Sequence, residues 1–153
     1  MLCKDLMSYP VIFNKEDDSI LKVSKTMDKY NIGFIPIVDS DNNLIGVITD
    51  FDIIKRVISK DIPLTNHISN YLTKEVIYCY VNQDISLAIS KMADYQIKRI
   101  IVLDLNNKMV GIISIKDIAT NQETNKYLND LLLEIKSDEL LNPIKYYSKA
   151  KKI

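Results

Sequence analysis

The sequence predicts an α/β fold in which two βαββα units pack about a pseudo-twofold axis and a C-terminal helix follows them. Three observations support this prediction. The chain contains an internal repeat, each copy shows the same order of strand and helix periodicities, and the composition suits a buried core. Apolar residues make up 47% of the 153 residues and charged residues 26%, as in ordinary globular proteins.

The repeat aligns residues 7–53 with residues 72–118 without a gap, at an offset of 65 residues. A fixed register over this length indicates two copies of one structural unit. Each copy alone buries too little surface to offset chain entropy, so we expect the copies to pack together. The identical pairs include Ile12 and Ile77, Ile20 and Ile85, Met27 and Met92, Tyr30 and Tyr95, Ile32 and Ile97, Ile35 and Ile100, Asp39 and Asp104, Gly46 and Gly111, Ile48 and Ile113, and Asp52 and Asp117.

The periodicity of each copy changes in a fixed order. A short β-rich run precedes apolar residues three and four apart, which are typical of one helix face, and Ser19 is placed to cap the first such helix. Two apolar runs then flank a polar turn and predict a hairpin, which a second helix follows. The predicted elements of the first copy are a strand at Val11 to Phe13, a helix from Ile20 to Tyr30, strands at Phe34 to Val38 and Leu44 to Ile48, and a helix after Thr49 with Ile53, Ile54, Val57 and Ile58 on one side. Those of the second copy are Val76 to Cys79, Ile85 to Tyr95, Ile100 to Leu103, Met109 to Ile113, and a helix from Ile115.

The repeat also sets the expected domain boundaries, which are residues 1–62, 63–120 and 121–153. Apolar residues from Tyr127 to Leu140 keep helical spacing as far as Asn142-Pro143, which predicts an added amphipathic helix. That helix could fold back on the module or pack against a second subunit. The basic segment from Lys145 to Ile153 is expected to be a solvated tail. Tyr30 and Tyr95, at matching helix ends, are expected in the core.

Charge and composition exclude several classes of function. Basic and acidic residues both number 20, so no global field recruits nucleic acid or a membrane surface. Cys3 and Cys79 lack metal-ligand spacing and suit reduced thiols, which favours a cytoplasmic protein. His67 is the single histidine, and no phosphate loop or nucleophilic arrangement accompanies it, so we expect no enzyme activity, catalytic residue or metal site.

A shared motif lies at the strand-to-helix junction of each copy. It reads Gly46-Val47-Ile48-Thr49-Asp50-Phe51-Asp52 in the first copy and Gly111-Ile112-Ile113-Ser114-Ile115-Lys116-Asp117 in the second. A carboxylate at such a junction only accepts hydrogen bonds, so it can take both hydroxyls of a ribose. The same Thr/Ser-x-x-Asp pattern is also that of a capping box, which satisfies the first N–H groups of a helix. Both interpretations stay open.

Together these segments resemble the CBS-domain family over residues 1 to about 120. The family pattern also has an apolar helix ending in Met, here Met27 and Met92, and an apolar-Pro-apolar-apolar-Asp strand. That strand is Ile35-Pro36-Ile37-Val38-Asp39 in the first copy and Ile100-Ile101-Val102-Leu103-Asp104 in the second. The resemblance implies a free-standing tandem CBS-domain protein, or Bateman module, of the bacterial type.

The resemblance also implies roles for individual residues. Thr49 and Asp52 would hold the ribose of an adenine nucleotide in one pocket, and Ser114 and Asp117 in the other. The base would lie against Val11, Ile12 and Pro36, or against Ile77 and Ile101. Relatives often place a basic pair near the phosphate, where this chain has Lys98-Arg99; the alternative is a solvated surface pair. Ile101 and Lys98 depart from the family pattern, so the two pockets are inequivalent, and only one of them could be occupied.

The predicted function is regulatory sensing of an adenosyl ligand, with an adenine nucleotide such as AMP or ATP as the regulatory ligand and no cofactor. The ligand would bind in the cleft between the two CBS domains. By resemblance we expect a homodimer whose state is read by an unknown effector protein. The alternative is a non-enzymatic interaction or scaffold module with unoccupied pockets.

Overall fold

The computed structural model describes residues 1–135, which form two compact units. The first unit contains Tyr9–Val76 and Leu103–Val110, and the second contains Met1–Ser8, Ile77–Val102 and residues 111–135. Each unit therefore takes short segments from the other half of the sequence. The first eight residues, in particular, belong to the unit that holds most of the second repeat.

The first repeat forms a three-stranded sheet in the order β1-β2-β3. Strand β1 pairs with β2 in parallel, and β2 pairs with β3 in antiparallel register, with Ile35 opposite Ile48. The elements are β1 (Asn14–Lys15), α2 (Ile20–Tyr30), β2 (Phe34–Val38), β3 (Leu44–Thr49) and α3 (Asp50–Arg56), preceded by the short helix α1 (Cys3–Leu6). Two 3-10 turns follow, at Ile58–Lys60 and Ile68–Tyr71.

The second repeat forms a sheet in the matching order β4-β5-β6. The elements are β4 (Tyr78–Tyr80), α4 (Ile85–Asp94), β5 (Arg99–Leu103), β6 (Met109–Ser114) and α5 (Ile115–Thr120). A 3-10 turn at Asn125–Tyr127 leads into α6 (Leu128–Glu134). The predicted mixed α/β fold, with two strand, helix, hairpin, helix repeats, is thus confirmed. No helix among residues 1–135 has the length and apolar content that crossing a bilayer requires.

The first strand of each repeat starts later than predicted. Val11 to Phe13 are not in a strand, and β1 covers Asn14–Lys15 instead. The cause is a turn held by Asp18, whose carboxylate accepts from the Lys15 N–H at 3.0 Å and from Asn14 Nδ2 at 2.8 Å. This turn fixes the short strand beside the end of β2. In the second repeat, Gln83 Oε1 accepts from the Tyr80 N–H at 2.9 Å and holds β4 in the same way.

The core of the first unit is apolar and continuous. Helix α2 begins at the predicted cap, where Ser19 accepts a hydrogen bond from the Lys22 N–H, and its buried face packs on the sheet. Each fully buried aliphatic side chain contributes about 1.5–3 kcal/mol. The cluster consists of Ile20, Val23, Met27, Ile35, Ile37, Ile48, Ile53, Val57 and Ile68.

Some side chains predicted to be buried lie at the surface. Tyr30 and Tyr95 are 46% and 58% exposed, so the prediction that they belong to the core is wrong. Ile53 of α3 is buried, whereas Ile54 of α3 and Ile58 of the following 3-10 turn are more than half exposed. Ile53 and Val57 are four residues apart and form the buried stripe, and Ile54 points about 100° away from Ile53 and lies outside that stripe.

The added C-terminal helix folds back on the second unit. Leu131 of α6 and the following Ile135 are buried, and Gln96 Nε2 donates to the Glu134 carbonyl at 2.7 Å. Of the two arrangements left open by the sequence, this contact matches the first. Leu140, Asn142-Pro143 and the basic segment from Lys145 to Ile153 lie outside the described residues.

Candidate functional site

The two Thr/Ser-x-x-Asp motifs form reciprocal capping boxes. Asp52 Oδ2 accepts from the Thr49 N–H, and Thr49 Oγ1 accepts from the Asp52 N–H, both at 3.0 Å. Asp117 Oδ2 accepts from the Ser114 N–H at 2.7 Å, and Ser114 Oγ accepts from the Asp117 N–H at 3.3 Å. The capping interpretation is therefore confirmed in both repeats, and the ribose interpretation stays a prediction that must be compatible with it.

A third segment completes each site, and the sequence reasoning missed it. Ser8 forms an antiparallel bridge with Ile112 in β6, and Thr73 forms the equivalent bridge with Val47 in β3. The Ser8 hydroxyl then donates to Asp117 Oδ1 at 2.9 Å. Because Ser8 and Thr73 are matched by the same 65-residue offset, the repeat alignment could have identified them as a pair of site residues.

Glycine allows this third segment to approach the strand. A Cβ built on Gly46 would lie 2.9 Å from the Thr73 carbonyl oxygen and 3.0 Å from Leu72 Cβ. A Cβ on Gly111 would lie 2.4 Å from Met7 Sδ. Such distances are closer than packed atoms tolerate, which explains why both strands carry glycine at this position.

The two sites differ in what contacts the outer carboxylate oxygen. In the first unit, Arg56 pairs through Nη2 with Asp52 Oδ1 at 3.0 Å. The same guanidinium donates to the Tyr71 carbonyl at 2.8 Å and to Thr73 Oγ1 at 2.9 Å. Asn121 occupies the equivalent position in the second repeat, and its side chain accepts from the Glu123 N–H instead. Asn121 is neutral, so the second site has no counterpart of the ion pair between Arg56 and Asp52.

Both carboxylates therefore make hydrogen bonds through each of their oxygens. A carboxylate offers about four lone-pair sites. Asp117 Oδ2 accepts from both the N–H and the hydroxyl of Ser114, so the room for a further donor lies on the Oδ1 atoms. The Asp52 side chain is 19% exposed, and Asp117 is also only partly buried. A ribose hydroxyl could approach either acid, but it would share the oxygen with a donor already present.

The residues predicted to contact the base lie in different surroundings. Val11, Ile12 and Ile77 are partly exposed and have surface to offer a ligand. Pro36 and Ile101 are buried within their strands. Residues of the first predicted pocket all lie in the first unit, and those of the second pocket all lie in the second unit.

The predicted phosphate residues lie beside the second capping box. Lys98 accepts, through its carbonyl oxygen, a hydrogen bond of 3.1 Å from the Ile115 N–H at the start of α5, and both Lys98 and Arg99 are exposed. In the first unit the matching bond runs from the Asp50 N–H to the Gly33 carbonyl at 3.0 Å. There the Asp50 carboxylate takes the space beside Gly33, since a Cβ would lie 2.5 Å from its Oδ2.

Open cavities of the first unit lie on several faces. One of about 550 Å³ borders Arg56 and the segment around Thr73. A more apolar one of about 480 Å³ is lined by Tyr9, Pro10, Val11 and Phe13 among others. His67 lies in a third, polar cavity of about 360 Å³ with Lys15 and Glu16. The cavity beside Arg56 is related to the first capping box through the ion pair between Arg56 and Asp52.

The two cysteines lie in the second unit and are buried free thiols. The Cys79 thiol donates to the Ile101 carbonyl at 3.7 Å, and the neighbouring Cys3 thiol together with burial raises the pKa of Cys79. Within residues 1–135, no group of three His, Cys, Asp or Glu side chains is arranged to hold a metal ion.

Comparison with known proteins gives a consistent family match. The CBS domain model matches residues 3–59 and 68–123. L-Aspartate semialdehyde sulfurtransferase of Methanocaldococcus jannaschii is 32% identical over 118 residues, which is 77% of this chain and 22% of that enzyme. The chain thus spans about a fifth of this curated relative.

Solved structures share the same fold. The CBS domain pair of protein MJ0100, in complex with 5′-methylthioadenosine and S-adenosyl-L-methionine, gives a TM-score of 0.70 at 32% identity, over 78% of this chain and 93% of that one. The CBS domain protein PAE2072 from Pyrobaculum aerophilum, complexed with AMP, gives a TM-score of 0.76 at 20% identity, over 85% of this chain and 99% of that one. At 20% identity, this second likeness concerns the fold alone.

Proposed function

Because the chain belongs to the CBS-domain family, we propose that it is a regulatory module that binds an adenosyl ligand and catalyses no reaction. The ligand would be an adenine nucleotide such as AMP or ATP, or a related adenosyl compound. It would enter at least one of the two sites built around Asp52 and Asp117. The observation that carries the proposal is the duplicated site, in which an acid and two hydroxyl-bearing residues come from two separate segments.

The ligands of structural relatives support the choice of ligand class. 5′-Methylthioadenosine, S-adenosyl-L-methionine and AMP share adenosine and differ at the 5′ position. A site that recognises the shared part needs an apolar surface for the purine and an acceptor for the ribose hydroxyls. In this chain Val11, Ile12 and Ile77 offer such surface, and the two acids offer acceptors.

The capping boxes set a limit on how the ribose is held. The Oδ2 atoms of Asp52 and Asp117 stabilise their helices, so ligand contact falls on the Oδ1 atoms. At Asp117, the present Oδ1 donor is the Ser8 hydroxyl, which can rotate toward another acceptor when a ribose hydroxyl arrives. Binding would then exchange one neutral donor for another, without breaking the cap.

Regulation would follow because ligand binding is thermodynamically linked to the conformational equilibrium of the module. A ligand that binds one arrangement of the module more tightly shifts the population toward that arrangement, and an effector protein can read the shift. We further propose a homodimer in the cytoplasm, consistent with the free thiols Cys3 and Cys79. Light scattering tests the dimer, since it should give about twice the chain mass of 17.6 kDa.

Titration calorimetry with AMP, ADP, ATP, 5′-methylthioadenosine and S-adenosyl-L-methionine tests the proposed function. The matched variant is the double substitution Asp52→Asn and Asp117→Asn, because an amide oxygen can still accept the cap bond that Ala would remove. The control is Asp28→Asn with Asp130→Asn, which removes the same charge at two exposed positions. We expect binding in the unaltered chain and the control, and its loss in the site variant with circular dichroism unchanged.

An interaction module with unoccupied pockets is the second candidate function. It is favoured by one observation, that every oxygen of both carboxylates already has a hydrogen-bond donor. Under this alternative the acids serve stability alone. The calorimetry separates the two candidates. If the chain is an interaction module, no probe binds at millimolar concentration, and the double substitution only lowers the melting temperature of the protein.

A further inference from the structure

We infer that the two sites are not equivalent: the adenosyl ligand occupies the site of Ser8 and Asp117, whereas Arg56 closes the site of Asp52. This inference rests on the proposed function and goes beyond it by assigning the occupied site and its ligand class. It follows from comparing pairs of positions that the 65-residue offset makes equivalent.

The Arg56 side chain occupies the first site in place of a ligand. Its guanidinium makes hydrogen bonds to a main-chain carbonyl, to the Thr73 hydroxyl and to Asp52 Oδ1, all within 3.0 Å. Three partners from two segments hold the planar group in one orientation, and arginine does not lose its charge at ordinary pH. A ribose hydroxyl would have to share Asp52 Oδ1 with this charged donor or replace it with a neutral one, and either outcome weakens binding.

The second site lacks this obstacle. Asn121 stands where Arg56 stands in the first repeat, and its side-chain oxygen accepts from the Glu123 N–H. Asp117 Oδ1 accepts instead from the Ser8 hydroxyl at 2.9 Å. Displacing a neutral hydroxyl, or sharing an acceptor with it, costs less free energy than doing so with a guanidinium held at three points.

Charge at the neighbouring positions favours the same site for a phosphate. The first site has Gly33 and the Asp50 carboxylate beside its cap. At the equivalent positions the second site has the exposed Lys98 and the neutral Ile115. Beside the first cap a phosphate would meet the Asp50 carboxylate, and Arg56 is already paired with Asp52. Beside the second cap it would meet Lys98, so adenosine phosphates belong to the second site.

Calorimetry that counts binding events tests this assignment, with AMP and 5′-methylthioadenosine as probes of the full chain. The unaltered chain should bind one equivalent of either probe, and added KCl should weaken AMP more than the uncharged probe. Asp117→Asn should weaken both probes by about tenfold or more. Lys98→Ala should weaken AMP by about threefold.

Removing the Arg56 guanidinium should allow a second ligand to bind, in the site of Asp52. Arg56→Gln keeps an amide donor but removes the charge, and it should bind two equivalents of 5′-methylthioadenosine. Adding Asp52→Asn to Arg56→Gln should return the count to one. Asp28→Asn, at an exposed position outside both sites, serves as the control and should match the unaltered chain.

The outcomes separate the inference from the proposed function. Tight binding that survives Asp117→Asn, two equivalents in the unaltered chain, or a single equivalent in a folded Arg56→Gln variant would each overturn the inference while leaving nucleotide sensing intact. If Arg56→Gln does not fold, the Asp117→Asn result alone decides. Failure of both probes to bind the unaltered chain would overturn the proposed function and this inference together.

Discussion

Replacing Gly46 with alanine tests how closely the third segment packs on β3. The new Cβ would lie 2.9 Å from the Thr73 carbonyl oxygen and 3.0 Å from Leu72 Cβ. Neither atom can move without moving the main chain, because Thr73 both donates to and accepts from Val47 at 2.9 and 3.0 Å. Overpacking of this kind costs about 1–3 kcal/mol, and we expect Gly46→Ala to cost about 2 kcal/mol.

Gly111→Ala is the matched comparison at the equivalent position of the second repeat. There the closest atom is Met7 Sδ, at the flexible end of a side chain, although Met7 Cβ also lies at 2.9 Å. Methionine adapts more readily than a main-chain carbonyl, so we expect a smaller cost of about 1 kcal/mol. The two substitutions are chemically identical, and only the neighbouring atoms differ.

Urea unfolding followed by circular dichroism measures both costs, and an unchanged m-value shows that compactness is unaffected. Gly46→Ala should lower the midpoint more than Gly111→Ala. A Gly46→Ala variant as stable as the unaltered chain would refute the close packing of Thr73 on β3. A larger loss for Gly111→Ala would refute the distinction between a main-chain and a side-chain neighbour.

Two further predictions concern the turn before α2 and the docking of α6. Burial tends to raise the pKa of Asp18, but hydrogen bonds from Lys22 and Asn14 outweigh it and leave the pKa lowered. A group with a lowered pKa stabilises the fold above the unfolded pKa of about 4, and this stabilisation is lost as pH falls through the folded pKa. Asp18→Asn should therefore cost about 1–2 kcal/mol at pH 7 and less near pH 2. An equal cost at both pH values would contradict this, as measured by urea unfolding. Leu131→Ala should cost about 2–4 kcal/mol because Leu131 is buried. Leu133→Ala should change thermal stability little, because the Leu133 side chain is 66% exposed. Equal effects of the two substitutions would contradict the packing of α6.

The repeat pattern made the fold largely predictable. Helix α2, its Ser19 cap and the β2-β3 hairpin all follow from residue spacing, because periodicity reports which face of an element is buried. The start of β1 was not predictable in this way. It depends on the Asp18 carboxylate binding the Lys15 N–H, a side-chain contact that alternation of apolar residues does not report.

The site was only partly predictable for a similar reason. The Thr/Ser-x-x-Asp motifs are local, so their position at strand-to-helix junctions could be read from the sequence. Ser8 lies 109 residues from Asp117, and Arg56 contacts Tyr71 and Thr73 from outside the motif. Such contacts depend on which segments the fold brings together, and they make the two sites different even though their motifs match.

A crystal structure of the chain grown with AMP tests the central claim most directly. Our account predicts a nucleotide whose ribose hydroxyls lie within hydrogen-bond distance of Asp117 Oδ1, with Ser8 turned or sharing that oxygen and the Ser114 cap intact. Density for AMP at some other surface, or a saturated crystal in which the contact between Ser8 and Asp117 persists and no ribose touches either acid, would contradict it.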